Sequence, residues 1–429
     1  MVAVIRKRAR PCVLFVHNNF PGQFGFLARM LVSKGIRCAA IGSDRCVGLE
    51  AVDMLRWTTE RGSTETIFPP ATKCEADMLR GVATLERALD LKRSGLEPKV
   101  IIAHPGWGET LFLKEAFPDA KQILYGEFYY HSQGADTGFD PEFGSNELAE
   151  RVGVSAKNAT LSMAYALADR IVAPTPFQAS LLPSPFRRLT DIIHEGIDAS
   201  VLKRRTEARF QIDGGPALDA STPVITFVNR CFEPLRGYHI FMRSLPRVLA
   251  ECPDAHVLLI GESGERGYGV QAPPGRPWRD IYLEEVSDRL DMSRVHFVGT
   301  IGHDRLIDAY SISSAHVYLT YPFVLSWSLM EAMATGCAIV ASDTAPVRDV
   351  VEDGETGVLV DFFDHDALAD AIVRMCTNPS AYEPMRGRAR DHIVQNYDQV
   401  GICAPAWLRL VEEHYDRTAS TIGPVRKLL

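Results

Sequence analysis

The 429-residue sequence contains no apolar run approaching the roughly 20 residues that cross a bilayer, so a membrane-spanning helix is not expected. It has no C-x-x-C pair; the nine cysteines (Cys12, Cys38, Cys46, Cys74, Cys231, Cys252, Cys337, Cys376 and Cys403) are scattered. An odd, dispersed set in a long chain reads as reduced thiols. Some of them serve as small hydrophobes, as in Cys12-Val-Leu-Phe-Val. There is no basic excess either, and a formal net charge of −8 excludes nucleic acid as the main partner. The one basic run, Arg6, Lys7, Arg8 and Arg10, reads as a solvated N-terminal tail, with contact to anionic lipid as the alternative. No apolar stretch ending at a small-residue cleavage site opens the chain, so no signal peptide is expected. These absences lead to the expectation of a cytoplasmic protein, with peripheral docking at the inner face of the membrane left open.

What is present points to two α/β domains. The chain exceeds what one core usually organises, and its 46% hydrophobic and 23% charged content is that of a globular protein. Short apolar runs alternate with helix-period segments, which predicts parallel sheets with crossover helices. The candidate strands are Cys12–His17, Arg37–Ile41, Val100–His104, Gln122–Tyr125, Arg170–Ala173 and Asp191–Ile193, then Val224–Val228, His256–Ile260, Val295–Val298, Ala315–Leu319, Ala338–Ala341 and Val358–Val360. Residues 1–200 form the expected first domain and 223–404 the second. A linker is expected at 201–222, where Lys203-Arg204-Arg205 and Asp213-Gly-Gly-Pro216 show turn formers and weak periodicity. From about 405 to 429, Trp407, Leu408, Leu410, Val411 and Tyr415 predict a helix that packs back on the first domain.

In such sheets ligands bind beyond the carboxyl ends of the strands. After Ala315–Leu319 comes Tyr321-Pro-Phe-Val-Leu-Ser-Trp-Ser-Leu-Met-Glu331-Ala-Met-Ala-Thr-Gly336. Ser326 is the expected N-cap and Gly336 the C′ residue of a short apolar helix, whose N-terminus favours phosphate near Ser326, Trp327 and Ser328. Glu331, the one charged residue of that helix, reads as an acceptor for sugar or ribose hydroxyls, or else as a partly exposed carboxylate. After Val224–Val228 the loop Asn229-Arg230-Cys-Phe-Glu-Pro-Leu-Arg236-Gly237 offers two cations that would neutralise a diphosphate. After the first strand, Asn18-Asn-Phe-Pro-Gly22-Gln23-Phe-Gly25 forms a Gly/Pro turn that brings a helix close to a ligand. His104 and Glu127 stand at the ends of two further strands of the first half, with His131 four residues after Glu127.

Two patterns are set aside. Asp364-His-Asp366 has the D-x-D form of metal-held nucleotide sites, but it precedes a helical segment and reads as an N-cap. Gly261-Glu-Ser-Gly264-Glu-Arg-Gly267 lacks the dinucleotide spacing.

The Glu331-Ala-Met-Ala-Thr-Gly-Cys-Ala-Ile-Val-Ala-Ser342 segment, with Arg230 and Arg236, resembles retaining glycosyltransferases of family 4. The Gly126-Glu-Phe-Tyr-Tyr130 block resembles one subgroup of that family. The resemblance implies a GT-B fold, two Rossmann-like domains facing each other across a cleft. It also implies transfer of a sugar from a UDP- or GDP-sugar to an acceptor hydroxyl, with retention and without a metal ion or other cofactor. The acceptor would be a glycan, lipid-linked group, protein or small molecule, bound by the first domain. Donor-binding residues would be Gly22, Gln23, Arg230, Arg236, Thr300, Ile301, Ser326, Trp327, Ser328 and Glu331, with base recognition around Gly299–His303. Arg230, Arg236, Glu127 and His104 would be catalytic. Two departures stand out: Arg236 occupies a lysine position, and Phe323 replaces the carboxylate that holds donor-sugar hydroxyls in the family. A sugar-nucleotide epimerase of the same fold and a degenerate nucleotide-sugar-binding subunit are the alternative readings.

Overall fold

The computed structural model describes residues 10–144, 147–263 and 267–420. Arg6, Lys7 and Arg8 of the basic run, and Gly264, Glu265 and Arg266 of the glycine-rich loop, lie outside them.

Seven strands build the first sheet: β1 (Arg10–Val16), β2 (Cys38–Ser43), β3 (Asp53–Trp57), β4 (Leu96–Ala103), β5 (Lys121–Tyr125), β6 (Arg170–Ala173) and β7 (Thr190–Ile192). All pairings are parallel, in the order β3-β2-β1-β4-β5-β6-β7. Alternate residues of β1 feed opposite cores: Cys12, Leu14 and Val16 join one cluster, Val13 and Phe15 the other. That is why these strands read as continuous apolar runs instead of alternating ones. β3 was not expected from the sequence. Its polar Asp53-Met-Leu-Arg-Trp57 run suits an edge strand, where one side of the ladder meets solvent.

The second half of the chain repeats the plan. A small antiparallel hairpin, β8 (Arg209–Gln211) and β9 (Ala217–Asp219), precedes it. Then β10 (Val224–Cys231), β11 (His256–Glu262), β12 (Val295–Gly299), β13 (Ala315–Tyr318), β14 (Ile339–Ser342) and β15 (Val358–Val360) form a parallel sheet ordered β12-β11-β10-β13-β14-β15. In each sheet the chain starts in the middle, builds to one edge, and returns to the other side of the first strand. The topological switch points are therefore β1/β4 and β10/β13.

The chain divides into two compact units, 1–132 with 146–195 and 400–429, and 133–145 with 196–399. The expected linker at 201–222 is thus part of the second unit and carries the β8–β9 hairpin. Phe210 is buried there beneath the Arg305 guanidinium, 4.7 Å from its ring centroid, and Arg305 donates to the Gln211 carbonyl at 2.6 Å. Residues 133–145 depart from the expected boundary at 200 for a similar reason. Phe139 packs against Tyr321, Phe362 and Phe363, and Phe143 against His239 and Trp278. The C-terminal helix, Ala404–Ser420, belongs to the first unit, where Trp407 is buried and donates to the His194 carbonyl at 3.3 Å.

Candidate functional site

At the switch point of the first sheet, the pairing of Val16 with Ala103 sets His17 and His104 side by side just past the strands. Their rings meet edge-on at 5.4 Å, and Trp107 lies 4.4 Å from His104. The tautomers follow from the backbone. Asn19 N–H donates to His17 Nδ1 at 2.9 Å and Gly106 N–H to His104 Nδ1 at 3.1 Å, so each neutral ring carries its proton on Nε2. His17 Nε2 then donates to Gln23 Oε1 at 2.7 Å, and Gln23 Nε2 donates to Glu127 Oε1 at 3.1 Å. His104 Nε2 faces Glu127 Oε2 at 3.3 Å, a close contact whose N–H is not aligned for a well-formed hydrogen bond.

Glu127, Gln23 and His104 are therefore brought together, with Gly22 beside them against the His17 ring. His17 is a member that sequence reasoning missed, because it closes an apolar strand like any core residue. Burial would raise the Glu127 pKa, but His104, His17 and Gln23 outweigh it and hold the carboxylate below its usual range. His17 is driven down to about 3, chiefly by burial and then by His104, so it stays neutral. The cluster thus presents one fixed anion, a third exposed, backed by the His17 and His104 rings. His131 is separate from it, with Nε2 on the Leu181 carbonyl at 2.7 Å.

At the switch point of the second sheet the Arg230–Arg236 segment leaves the end of β10 and runs to Gly237, whose φ of +68° starts the Tyr238–Glu251 helix. A Cβ at Gly237 would meet Leu319 Cβ at 2.2 Å, so the loop can turn only at glycine. Arg230 is exposed and stacks on Tyr268 at 5.5 Å. Arg236 is buried, and its Nη1 donates to Tyr318 Oη (3.1 Å), Thr320 Oγ1 (3.0 Å) and the Val324 carbonyl (2.9 Å). The two arginines are joined by aromatic rings: Tyr268 meets Phe323 at 5.3 Å, and Phe323 meets the Arg236 guanidinium at 5.7 Å. The buried Glu233 carboxylate accepts the Tyr268 N–H at 2.6 Å, and burial raises its pKa to about 7 against the pull of Arg236. A Cβ at Gly267 would fall 1.6 Å from Glu233 Oε2, so a larger residue there would displace the Glu233 carboxylate.

The helix after β13 runs from Trp327 to Thr335. Ser326 caps it by accepting the Ser328 N–H at 3.3 Å, and Gly336 closes it with φ +85°. Glu331 lies half-buried on its second turn, 3.6 Å from His303 Nε2; burial raises its pKa and His303 opposes the rise. Just after β12, Thr300 Oγ1 donates to Glu262 at the end of β11 at 3.4 Å, while Ile301 packs against the core.

Asp364 caps the His365–Thr377 helix by accepting the Ala367 N–H at 2.8 Å, which accounts for one half of the D-x-D pattern. Among the described residues, ligand atoms of Asp140, Glu142 and His239 lie within 4.8 Å of one another. Asp140 is already occupied by His239, Tyr321 and the Glu142 N–H, and Glu142 is held in a fork by Arg243. The guanidinium already supplies the positive charge that a cation would bring.

Residues 34–202 match the model of the glycosyl transferase family 4 group, and residues 222–378 that of the glycosyl transferases group 1. The D-inositol 3-phosphate glycosyltransferase of Rhodococcus jostii is 26% identical over 227 residues, 52% of this chain and 48% of that protein. The phosphatidyl-myo-inositol mannosyltransferase of Mycolicibacterium smegmatis is 30% identical over 178 residues, 41% of each chain. The chain thus spans about half the length of the relatives it matches. Sucrose-phosphate synthase from Thermosynechococcus elongatus superposes with a TM-score of 0.67 at 20% identity, covering 95% of this chain and 100% of that one. Anabaena HepE in complex with UDP and glucose gives 0.60 at 14% identity, with 96% and 99% covered. These likenesses and the two parallel sheets establish the two-domain, Rossmann-like GT-B fold. Two successive stretches of the chain are thus similar to glycosyltransferase domains, the first to the family 4 group and the second to group 1.

Proposed function

We propose that the protein is a glycosyltransferase that moves a sugar from a nucleotide-diphosphate sugar to an acceptor hydroxyl, with retention and without a metal ion. The observation that carries this reading is the pairing, at one switch point, of the Arg230–Arg236 loop with the Ser326-capped helix bearing Glu331. Phosphate is favoured at a helix N-terminus, where free N–H groups and the dipole act together. Glu331 accepts ribose hydroxyl hydrogen bonds in this reading, supported by its partly exposed carboxylate beside His303. Arg230, exposed and without a carboxylate partner among the described residues, is free to meet a diphosphate.

In the reaction the bond from the anomeric carbon to the diphosphate oxygen breaks, and the electron pair leaves on the diphosphate. Arg230 and Arg236 stabilise that growing charge. The acceptor oxygen bonds the anomeric carbon on the face just vacated, and its proton passes to the departing diphosphate. No enzyme nucleophile is needed. The first unit serves the acceptor through the Glu127, His104 and Gln23 cluster, whose fixed anion suits hydroxyl donors. Relatives named for inositol-containing acceptors and a neighbour holding UDP and glucose favour a hydroxyl acceptor and a nucleotide-linked donor. The odd, scattered set of nine cysteines favours the cytoplasm, with a lipid-linked acceptor reached peripherally.

Incubation with a panel of nucleotide sugars and hydroxyl acceptors in the presence of EDTA tests the reading. Release of nucleoside diphosphate coupled to an anomerically retained product by NMR is expected. Inversion, or turnover that stops on chelation, would count against it.

A further inference from the structure

Beyond the ends of β10, β11 and β12 the second unit holds a cavity of about 330 Å³ lined by Phe232, Gly261, Glu262, Arg279, Phe297 and Gly299, with Ser263 at its rim. From this cavity we infer that the second unit reads guanine, so that the donor is a guanosine-diphosphate sugar. The inference rests on the reading above that this unit binds a nucleotide-diphosphate sugar.

The location follows from chain continuity. Glu331 contacts His303 at 3.6 Å, and the short stretch back from His303 reaches Thr300, whose hydroxyl donates to Glu262. A ribose held at Glu331 thus has the cavity within reach of its base. The walls are aromatic: Phe232 and Phe297 meet edge to face at 5.9 Å, and the Arg279 guanidinium lies 5.6 Å over the Phe297 ring. Such a slot takes a flat heterocycle by stacking.

The polar groups decide which heterocycle. Arg279 uses Nε on Asp280 at 2.7 Å, and its two Nη nitrogens make no hydrogen bond among the described residues. Glu262 accepts one long bond from Thr300, and its second oxygen accepts none among the described residues. The cavity therefore offers a two-oxygen acceptor and a two-nitrogen donor.

Guanine answers both. Its N1–H and 2-amino group present parallel donors to a carboxylate, and its O6 and N7 are the acceptors that a guanidinium fork recognises. Uracil has one N–H flanked by two carbonyls, so the second carboxylate oxygen would face a carbonyl. Adenine turns its N1 lone pair toward the carboxylate. A site built around paired donors favours the base that has them, because a base lacking them leaves the Glu262 carboxylate and the Arg279 fork unmatched.

Thermal melts and calorimetric titration of the full chain with GDP, UDP and ADP test this. GDP is expected to raise the melting temperature most and to bind tenfold or more tighter than UDP. Glu262→Gln, at an exposed position, should melt like wild type without ligand, lose tenfold or more in GDP affinity, and keep its UDP affinity. Arg279→Gln should act in the same direction. UDP or ADP binding as tightly as GDP, or Glu262→Gln weakening all three alike, would overturn the inference while leaving nucleotide binding intact. If none of the three stabilises the protein, the nucleotide-sugar reading fails and the guanine inference with it.

Discussion

The phenyl ring of Phe323 lies against Arg236, 5.7 Å from centroid to guanidinium carbon, and meets the Tyr268 ring at 5.3 Å. With Arg230 over Tyr268, two cations and two rings form one ladder. An aromatic face supports a cation by electrostatics without neutralising it, as a carboxylate at that position would.

Phe323→Leu keeps an apolar side chain there, somewhat smaller, and removes the π face. We expect nucleoside diphosphate affinity to fall by about fivefold, corresponding to about 1 kcal/mol of cation–π support. Calorimetric titration checks it, with the unliganded melt lowered modestly because the smaller leucine leaves part of a buried site unfilled. Unchanged affinity would show that Arg236 is held by Tyr318, Thr320 and Val324 alone.

Glu109 is fully buried in the loop after β4, and neither carboxylate oxygen finds a hydrogen bond among the described residues. Burial raises its pKa from 4.5 to about 7. The folded state therefore holds a proton that the unfolded chain has lost between those values, and stability declines as pH rises through that window. Glu109→Gln should melt higher than wild type at pH 8, by an amount of order 2–3 kcal/mol, and match it below pH 4.5. Melting curves at the two pH values give the answer; an equal effect at both would refute the assignment.

His316 in β13 is buried, with Nδ1 on Thr226 Oγ1 at 2.8 Å, and burial lowers its pKa from 6.5 to about 3. Here the unfolded chain takes up a proton that the folded state refuses, so stability is lost as pH falls below 6.5. Between pH 6.5 and pH 5 the loss is about 2 kcal/mol for this group. His316→Gln should melt lower than wild type at pH 7.5 but lose less on acidification. A variant with the same acid-side slope as wild type would show that the burden lies elsewhere, His17 being the next group with this behaviour.

Much of the architecture was legible in the sequence because doubly covered parallel strands leave continuous apolar runs. Cys12–Val16 and Ala338–Ala341 could be read that way, whereas the polar edge strand Asp53–Trp57 could not. The hairpin around Asp213-Gly-Gly-Pro looked like a linker because its strands are three residues each, too short to show a period. The 133–145 segment was assigned to the first domain by its place in the chain. Its tie to the second unit depends on Asp140 meeting His239 and Tyr321, some 99 and 181 positions away. At the candidate site, Arg230, Arg236, Ser326 and Glu331 were visible through motif spacing. Tyr268 and Glu233 were not, since a loop tyrosine and a loop carboxylate carry no spacing signal, and only the fold stacks one on Arg230 and buries the other beneath it.

The central claim is that Arg230 stabilises charge on a departing nucleoside diphosphate. Steady-state turnover of Arg230→Ala beside wild type, with the matched nucleotide sugar and each protein's unliganded melting temperature, tests it most directly. The account predicts a fall in kcat/KM of roughly 100-fold or more, with the melt little changed because the side chain is exposed. Turnover equal to wild type in a folded Arg230→Ala protein would contradict it.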